Sequence, residues 1–288
     1  MNIHSFLDPA SETFSHILID DTHRCCAIFD PVLDFDASSG HTSHTQADKL
    51  INFIQTHQLT LHYIIETHAH ADHLSSAPYI KSILGGQTVI GKAIDVVQAA
   101  FKDVYNLDTS FKTDGRQFDI LTQEGQILTL GDITLTAISV AGHTPADMAY
   151  IATCGGETAI FVGDTLFAPD VGTARCDFPK GSAKDLYRSI QRLLNFSDDT
   201  RLYLCHDYPP HGRDYQPFCT VGDTRQANIH VKDGVSEAEF IAMRESRDKT
   251  LSMPRLILPA VQVNINAGEL PTAEDNGVRY LKLPINAF

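Results

Sequence analysis

Between residues 67 and 73 the chain reads Thr67-His68-Ala69-His70-Ala71-Asp72-His73, three imidazoles and one carboxylate within six positions. Imidazole and carboxylate are the ligand set of zinc and of non-haem iron. The string leaves an apolar run, Leu61 to Glu66, that reads as a strand, and a loop leaving a strand can aim alternate side chains at one point. Three more residues share that context. His143 follows a strand ending at Val140, Asp164 follows the strand Ala159 to Val162, and His206 follows the strand Arg201 to Cys205. Four strand ends that each deliver a metal-type ligand are expected to converge on one edge of the fold. Alone, each histidine would read as a core or surface residue; together they read as a metal site. Nine of the fourteen histidines stay unassigned, with His41 and His44 placed on the surface in a Ser/Thr-rich loop.

The elements that must position these groups follow from hydrophobic periodicity. His16 to Ile19 and Arg24 to Phe29 read as two strands closed by Asp30-Pro31, and Ala47 to His57 as a helix with Leu50, Ile51, Phe53 and Ile54 on one face. Leu74 to Leu84 reads as a helix ended by Gly85-Gly86, and Thr88 to Ile90 as a short strand. Gln126 to Leu130 and Ile133 to Val140 form a hairpin around Gly131-Asp132, followed by strands at Ala149 to Thr153 and Ala159 to Val162 and a helix from Ala183 to Leu194. Two strand-rich, helix-punctuated halves predict two sheets packed face to face with helices outside. No linker or charge block interrupts the pattern, so residues 1–288 are read as a single domain. Its C-terminal extension, from about 226 to 288, has a helix from Ser236 to Leu251 opened by a Ser236/Glu239 capping box, then an extended, Pro-punctuated wrapping segment from Pro254 to Pro271.

Composition narrows the class. With 36 acidic and 22 basic side chains the net charge is −14, which argues against nucleic-acid and anionic-membrane surfaces. Apolar runs are strand-sized, far short of the roughly 20 residues of a spanning helix, so no membrane association is expected. Met1 to Phe14 has neither the apolar core of a secretory signal nor the arginines of a transit peptide, which makes a cytoplasmic location the expectation. The six cysteines form no CxxC pair, so reduced thiols are expected, with Cys25 and Cys26 packed inside a strand.

The HxHxDH string at His68 to His73, with His143, Asp164 and His206 downstream, resembles the metallo-β-lactamase superfamily. That resemblance implies an α/β fold, an αββα sandwich of two mixed β-sheets flanked by helices, with metal at one sheet edge. Within the superfamily, Gly163 to Phe167, Gly172 to Pro179, Cys205 to Tyr208, Ala242 to Lys249 and Leu256 to Pro259 are similar to the bacterial persulfide dioxygenases. The resemblance then implies oxidation of glutathione persulfide by O2 to sulfite and glutathione, at one non-haem Fe(II) per chain. It makes His68, His143 and Asp164 the iron ligands, and His70, Asp72, His73 and His206 groups around them, Asp72 and His73 with a part in catalysis. A homodimer is expected on the same ground.

Every residue of a two-metal site is present as well: His68, His70 and His143 for one ion, Asp72, His73 and His206 for the other, with Asp164 as bridge. The alternative is therefore a dinuclear Zn(II) thioester hydrolase of the glyoxalase II type. Glutathione carries two carboxylates, so a cationic anchor near the metal edge is required, and Arg213, shortly after His206, is expected to supply it. Tyr208 is expected either to offer its hydroxyl to the reaction or to pack. Arg175 is expected to pair with Asp177, Cys176 to pack as an inert thiol, and Asp147 to cap a turn.

Overall fold

The computed structural model describes residues 1–286. Strands β1 (Asn2–Asp8), β2 (Thr13–Asp20), β3 (Cys25–Phe29), β4 (Val32–Asp36) and β5 (His41–Ser43) lead into helix α1 (Thr45–Thr56). Then come β6 (Thr60–Ile65), β7 (Leu74–Ser75), α2 (Ala77–Leu84), β8 (Gln87–Gly91), α3 (Ile94–Val104) and β9 (Ile120–Thr122). The second half holds β10 (Ile127–Leu130), β11 (Ile133–Ser139), β12 (Met148–Cys154), β13 (Glu157–Phe161), α4 (Ala183–Leu193), β14 (Arg201–Tyr203) and β15 (Phe218–Thr220), then α5 (Val221–Ala227), α6 (Glu237–Asp248) and α7 (Ile257–Asn264).

These strands build two six-stranded mixed sheets, ordered β1-β2-β3-β6-β8-β9 and β10-β11-β12-β13-β14-β15, plus a small sheet β5-β4-β7. Strand β3 shows why its five residues are all apolar. Cys25, Ala27 and Phe29 face the second sheet, while Cys26 and Ile28 face α1 and α2, so neither face meets water. The Phe29 ring stacks on Phe161 of the opposing sheet with centroids 3.8 Å apart. Burial pushes the Cys26 thiol up to about 12, consistent with an unreactive core residue. On the far side, Ala183, Leu186, Ile190 and Leu193 of α4 recur at helical spacing and bury against the second sheet together with Phe240 of α6.

Two stretches differ from the sequence-based expectation. Leu74 and Ser75 do not begin a helix but pair with Leu33 and Val32, and the helix starts after Ser76. Pro254 to Pro271, expected to be extended, contains helix α7. Pro259 sits in its first turn, where the missing N–H costs no hydrogen bond, and Ala260, Val261 and Val263 bury beneath it. Residues 287 and 288 of the extension lie outside the described residues. Among the described residues no helix is long and apolar enough to cross a membrane.

His16 of β2 ties the sheets together. Its Nε2 donates to the Leu204 carbonyl at 2.8 Å and its Nδ1 accepts from the Ser5 hydroxyl at 2.9 Å. Burial pushes its pKa down to about 4, against the Leu204 hydrogen bond and the Asp30 charge, so the folded ring stays neutral. A histidine with a depressed pKa contributes stability that is complete above the unfolded value of 6.5 and is lost as pH falls toward about 4. Urea titrations from pH 7 to pH 4.5 are expected to show His16→Gln losing part of the wild-type acid slope, worth on the order of 3 kcal/mol. A wild-type minus variant difference that does not change with pH would disprove a buried neutral His16.

Candidate metal centre

The motif loop begins where β6 ends and is held by groups from distant parts of the chain. Asp30, just past β3, accepts from the Thr67 backbone N–H at 2.7 Å, from the Thr67 hydroxyl, and from His70 Nε2 at 2.9 Å. Glu66 Oε2 lies 3.3 Å from the same His70 nitrogen. Asn264, the last residue of α7, donates to the His70 and His73 carbonyls, each at 2.8 Å, and accepts from the Ser75 N–H at 2.9 Å. Neither Asp30 nor Asn264 was marked by the sequence, where one read as part of a turn and the other as part of an extended tail.

Ligand-type atoms gather here in overlapping groups, two of which are made up wholly of the residues named from the sequence. His68, His143 and Asp164 form the first; His70, Asp72, His73 and His206 form the second, with each cluster's atoms lying within 4.8 Å of one another. In the first, His68 Nε2 and His143 Nε2 each stand 3.7 Å from Asp164 Oδ2. Metal bonds of about 2.1 Å put two ligands of one ion roughly 3.0–3.5 Å apart, so only a slight contraction is needed. The tautomers suit a metal. The Thr67 hydroxyl donates to Asp30, so its oxygen accepts from His68 Nδ1 at 3.1 Å; His143 Nδ1 donates to the Arg175 carbonyl at 2.8 Å. Both Nε2 lone pairs therefore face the cluster. Gly163 makes the Asp164 approach possible: its φ is +53°, and a Cβ there would stand 2.8 Å from the Thr67 hydroxyl oxygen.

Buried polar atoms without a hydrogen-bond partner gather here, among them His68 Nε2, His70 Nδ1, His73 Nε2, His206 Nε2 and Asp164 Oδ1. Buried polar atoms are almost always paired, so this convergence fits a cation. His206 Nε2 lies 2.9 Å from Asp72 Oδ2 and 3.4 Å from Asp164 Oδ1, at angles that make no hydrogen bond.

Electrostatics divides the imidazoles. Burial, then the neighbouring His70 and His143, holds His68 well below the usual range, and burial with His70 lowers His73. For His70 burial is outweighed by Asp30 and Glu66, which raise it well above the usual range; for His206 it is outweighed by Asp72 and Asp164, which raise it to about 9. Asp72 is half-buried; desolvation opposes its ionisation, and the positive His206 outweighs that and holds its carboxyl well below the usual range.

The first cluster opens into a cavity of about 250 Å³ lined by Asp72, His143 and Asp164, by apolar residues including Phe167 and Phe178, and by Tyr208. Tyr208 is stacked on His206 with centroids 5.6 Å apart and is partly exposed. Arg213 does not line this cavity. Its guanidinium is engaged by Asp170 and by the fully buried Asp207, with contacts of 2.6–2.7 Å, which makes it a brace rather than an anchor. Arg175 pairs with Asp177 at 2.6 Å, and Asp147 accepts from the Thr144 N–H and hydroxyl, capping that turn. Cys176 is buried and its thiol pKa is raised by burial.

A family model described as the metallo-beta-lactamase superfamily matches residues 17–206. The chain belongs to that superfamily, and with this His/Asp cluster it is a metalloenzyme. A probable metallo-hydrolase of Burkholderia pseudomallei is 48% identical over 100% of both chains. Glyoxylase B2 of Dictyostelium discoideum is 47% identical over 99% of this chain and 97% of its own. The mitochondrial persulfide dioxygenase ETHE1 of Homo sapiens is a more distant relative, 28% identical over 94% of this chain and 91% of its own. The crystal structure of ETHE1 from Myxococcus xanthus superposes with a TM-score of 0.73 at 26% identity, covering 93% of this chain and 100% of that one.

Two substitutions probe the supports. Asn264→Ala strands two buried carbonyls and an N–H, and is expected to lower stability by about 2–3 kcal/mol and metal affinity about 10- to 100-fold with every ligand intact, read by denaturation and competitive chelation. Arg213→Met leaves Asp207 buried without its cation and is expected to cost about 3–5 kcal/mol in denaturation while KM in the surviving folded enzyme stays unchanged. A specific rise in KM without loss of stability would restore Arg213 as a substrate contact.

Proposed function

We propose that the chain is a persulfide dioxygenase using one non-haem Fe(II) held by His68, His143 and Asp164. One observation carries this reading: His68, His143 and Asp164 by themselves form a two-histidine, one-carboxylate cluster, while His70, its Nε2 held by Asp30, groups with Asp72, His73 and His206 instead. Three protein ligands on one face are the arrangement of non-haem iron oxygenases. The similarity to persulfide dioxygenases supports the same reading. In the balanced reaction glutathione persulfide, O2 and water give sulfite, glutathione and two protons.

Bound Fe(II) would supply redox chemistry and open coordination positions for the two reactants. The residues do the rest. Thr67 and the Arg175 carbonyl fix the two imidazoles, and Asp30 fixes Thr67. Phe167 and Phe178 give the cavity beside Asp164 an apolar lining. Asp72, on the cavity wall, presents a carboxylate that can hold a proton, with His206 2.9 Å and His73 3.3 Å from it. The Tyr208 ring, stacked on His206, restrains that imidazole and presents a hydroxyl at the cavity wall.

A specific observation favours a second reading. His70, Asp72, His73 and His206 form a second group able to hold an ion, and the relatives at 48% and 47% identity bear metallo-hydrolase and glyoxylase names. Two Zn(II) ions would support hydrolysis of a glutathione thioester.

Oxygen uptake by anaerobically purified, Fe(II)-loaded protein on addition of glutathione persulfide, with metals counted on the same sample, separates the two. Uptake with about one iron per chain and sulfite formed is expected. Asp164→Ala is expected to lose iron and activity together, and His206→Ala to keep its iron. No uptake, with about two zinc per chain and thioester cleavage, would overturn the proposal.

A further inference from the structure

Three arginines line the cavity into which the metal cluster opens, in a chain whose net charge is −14. Two of them are occupied. Arg175 gives Nε and Nη2 to Asp177 and Nη1 to the Ser252 carbonyl, each at 2.6 Å. Arg244 is buried, with Nε 2.8 Å and Nη2 2.6 Å from Asp248 Oδ1 and Nη1 donating to the Thr173 carbonyl at 3.1 Å. Arg247, one turn further along α6, is exposed, and its guanidinium has no hydrogen-bond or ion-pair partner among the described residues.

Next to it is a second donor with a fixed direction. The Thr173 backbone N–H donates to His230 Nδ1 at 3.0 Å, so that nitrogen carries the lone pair and the proton of the neutral ring sits on Nε2. The neutral form is the one present near pH 7: burial, and then the charges of Arg244 and Arg247, push His230 down to about 4. The ring is seated against Gly172, where φ is +104° and a Cβ would stand 2.1 Å from Nδ1. Asn228 locks the approach by donating to the Gly172 carbonyl at 3.0 Å and accepting from the His230 N–H at 2.9 Å. His230 lines the same cavity as Arg247 and makes no hydrogen bond through Nε2 to any described residue.

We propose that Arg247 and the His230 Nε2–H form a carboxylate-binding subsite in this cavity, so that the enzyme selects a thiol persulfide bearing a carboxylate and orients its sulfur toward His143 and Asp164. Arg247 on α6 and His230 just before it line one part of the cavity, and His143 and Asp164 line the metal side, so a ligand whose carboxylate is held by Arg247 has its other end free for the metal side. The inference rests on the persulfide reading for the reacting group, though not for the carboxylate.

The test compares wild type and Arg247→Met on the persulfides of glutathione and of glutathione diethyl ester, whose carboxylates are masked. Wild type is expected to prefer the free acid, and Arg247→Met to lose about 10- to 100-fold in kcat/KM on it, mainly through KM. The diester rate serves as the folding control, and Arg247→Lys is expected to recover part of the loss. Calorimetric titration with glutathione itself gives a readout without turnover: binding should weaken in Arg247→Met and not respond to the change when the diethyl ester is the titrant. Unchanged selectivity and unchanged glutathione binding in Arg247→Met, with persulfide still oxidised, would overturn the subsite and leave the proposed reaction standing. Absent persulfide turnover in wild type, with glutathione binding still dependent on Arg247, would support the subsite and overturn the reaction.

Discussion

A single buried carboxylate, Asp30, is the constraint on which the metal centre depends. It sits at the end of a central strand, closed off from water, and receives the Thr67 N–H, the Thr67 hydroxyl and the His70 imidazole. Burial opposes its ionisation, and the positive His70 and the Thr67 N–H outweigh that cost, holding the carboxyl below its usual range. The arrangement sets the backbone of the motif loop, the tautomer of His68 through Thr67, and the direction in which His70 points. Remove this anchor and three of the nearby groups lose their orientation at once.

The rest of the sandwich reads as the means of bringing such anchors together. The Phe29–Phe161 stack and the His16–Leu204 hydrogen bond lock the two sheets in one register. Each sheet then contributes from its strand ends: the first sheet supplies Asp30 and the motif loop, the second His143, Asp164 and His206. Interiors packed at crystal density do not deform smoothly, so ligand atoms carried by two sheets can hold a spacing of a few ångströms without direct covalent links. Helix α7 adds the outer clamp through Asn264, tying the C-terminal extension to the same loop.

Charge is organised along the cavity as well as around the metal. Arg213, Arg175 and Arg244 each meet carboxylates and act on structure: one neutralises buried Asp207, one shapes the loop after Asp164, one holds α6 against Thr173. Desolvated cations almost always find such partners. Arg247, exposed on α6, meets no such partner among the described residues, which leaves its guanidinium free for a ligand in the cavity.

Much of this was legible in the sequence. The HxHxDH string and the histidines and aspartate after three later strands named residues that the fold brings together, because ligand chemistry is a property of residue type and strand ends are readable from hydrophobic period. The capping box at Ser236 and the hairpin at Gly131-Asp132 were equally plain, since their signals are local. Tertiary structure alone decided the groups that act across distance. Asp30 looked like part of a turn, Asn264 lay in a segment whose prolines hid a helix, and Arg213 was nearer to the motif in sequence than Arg247 but faced two aspartates. Sequence carries the type of each side chain; which partner neutralises it depends on where the chain returns in space, and that follows only from packing the sheets.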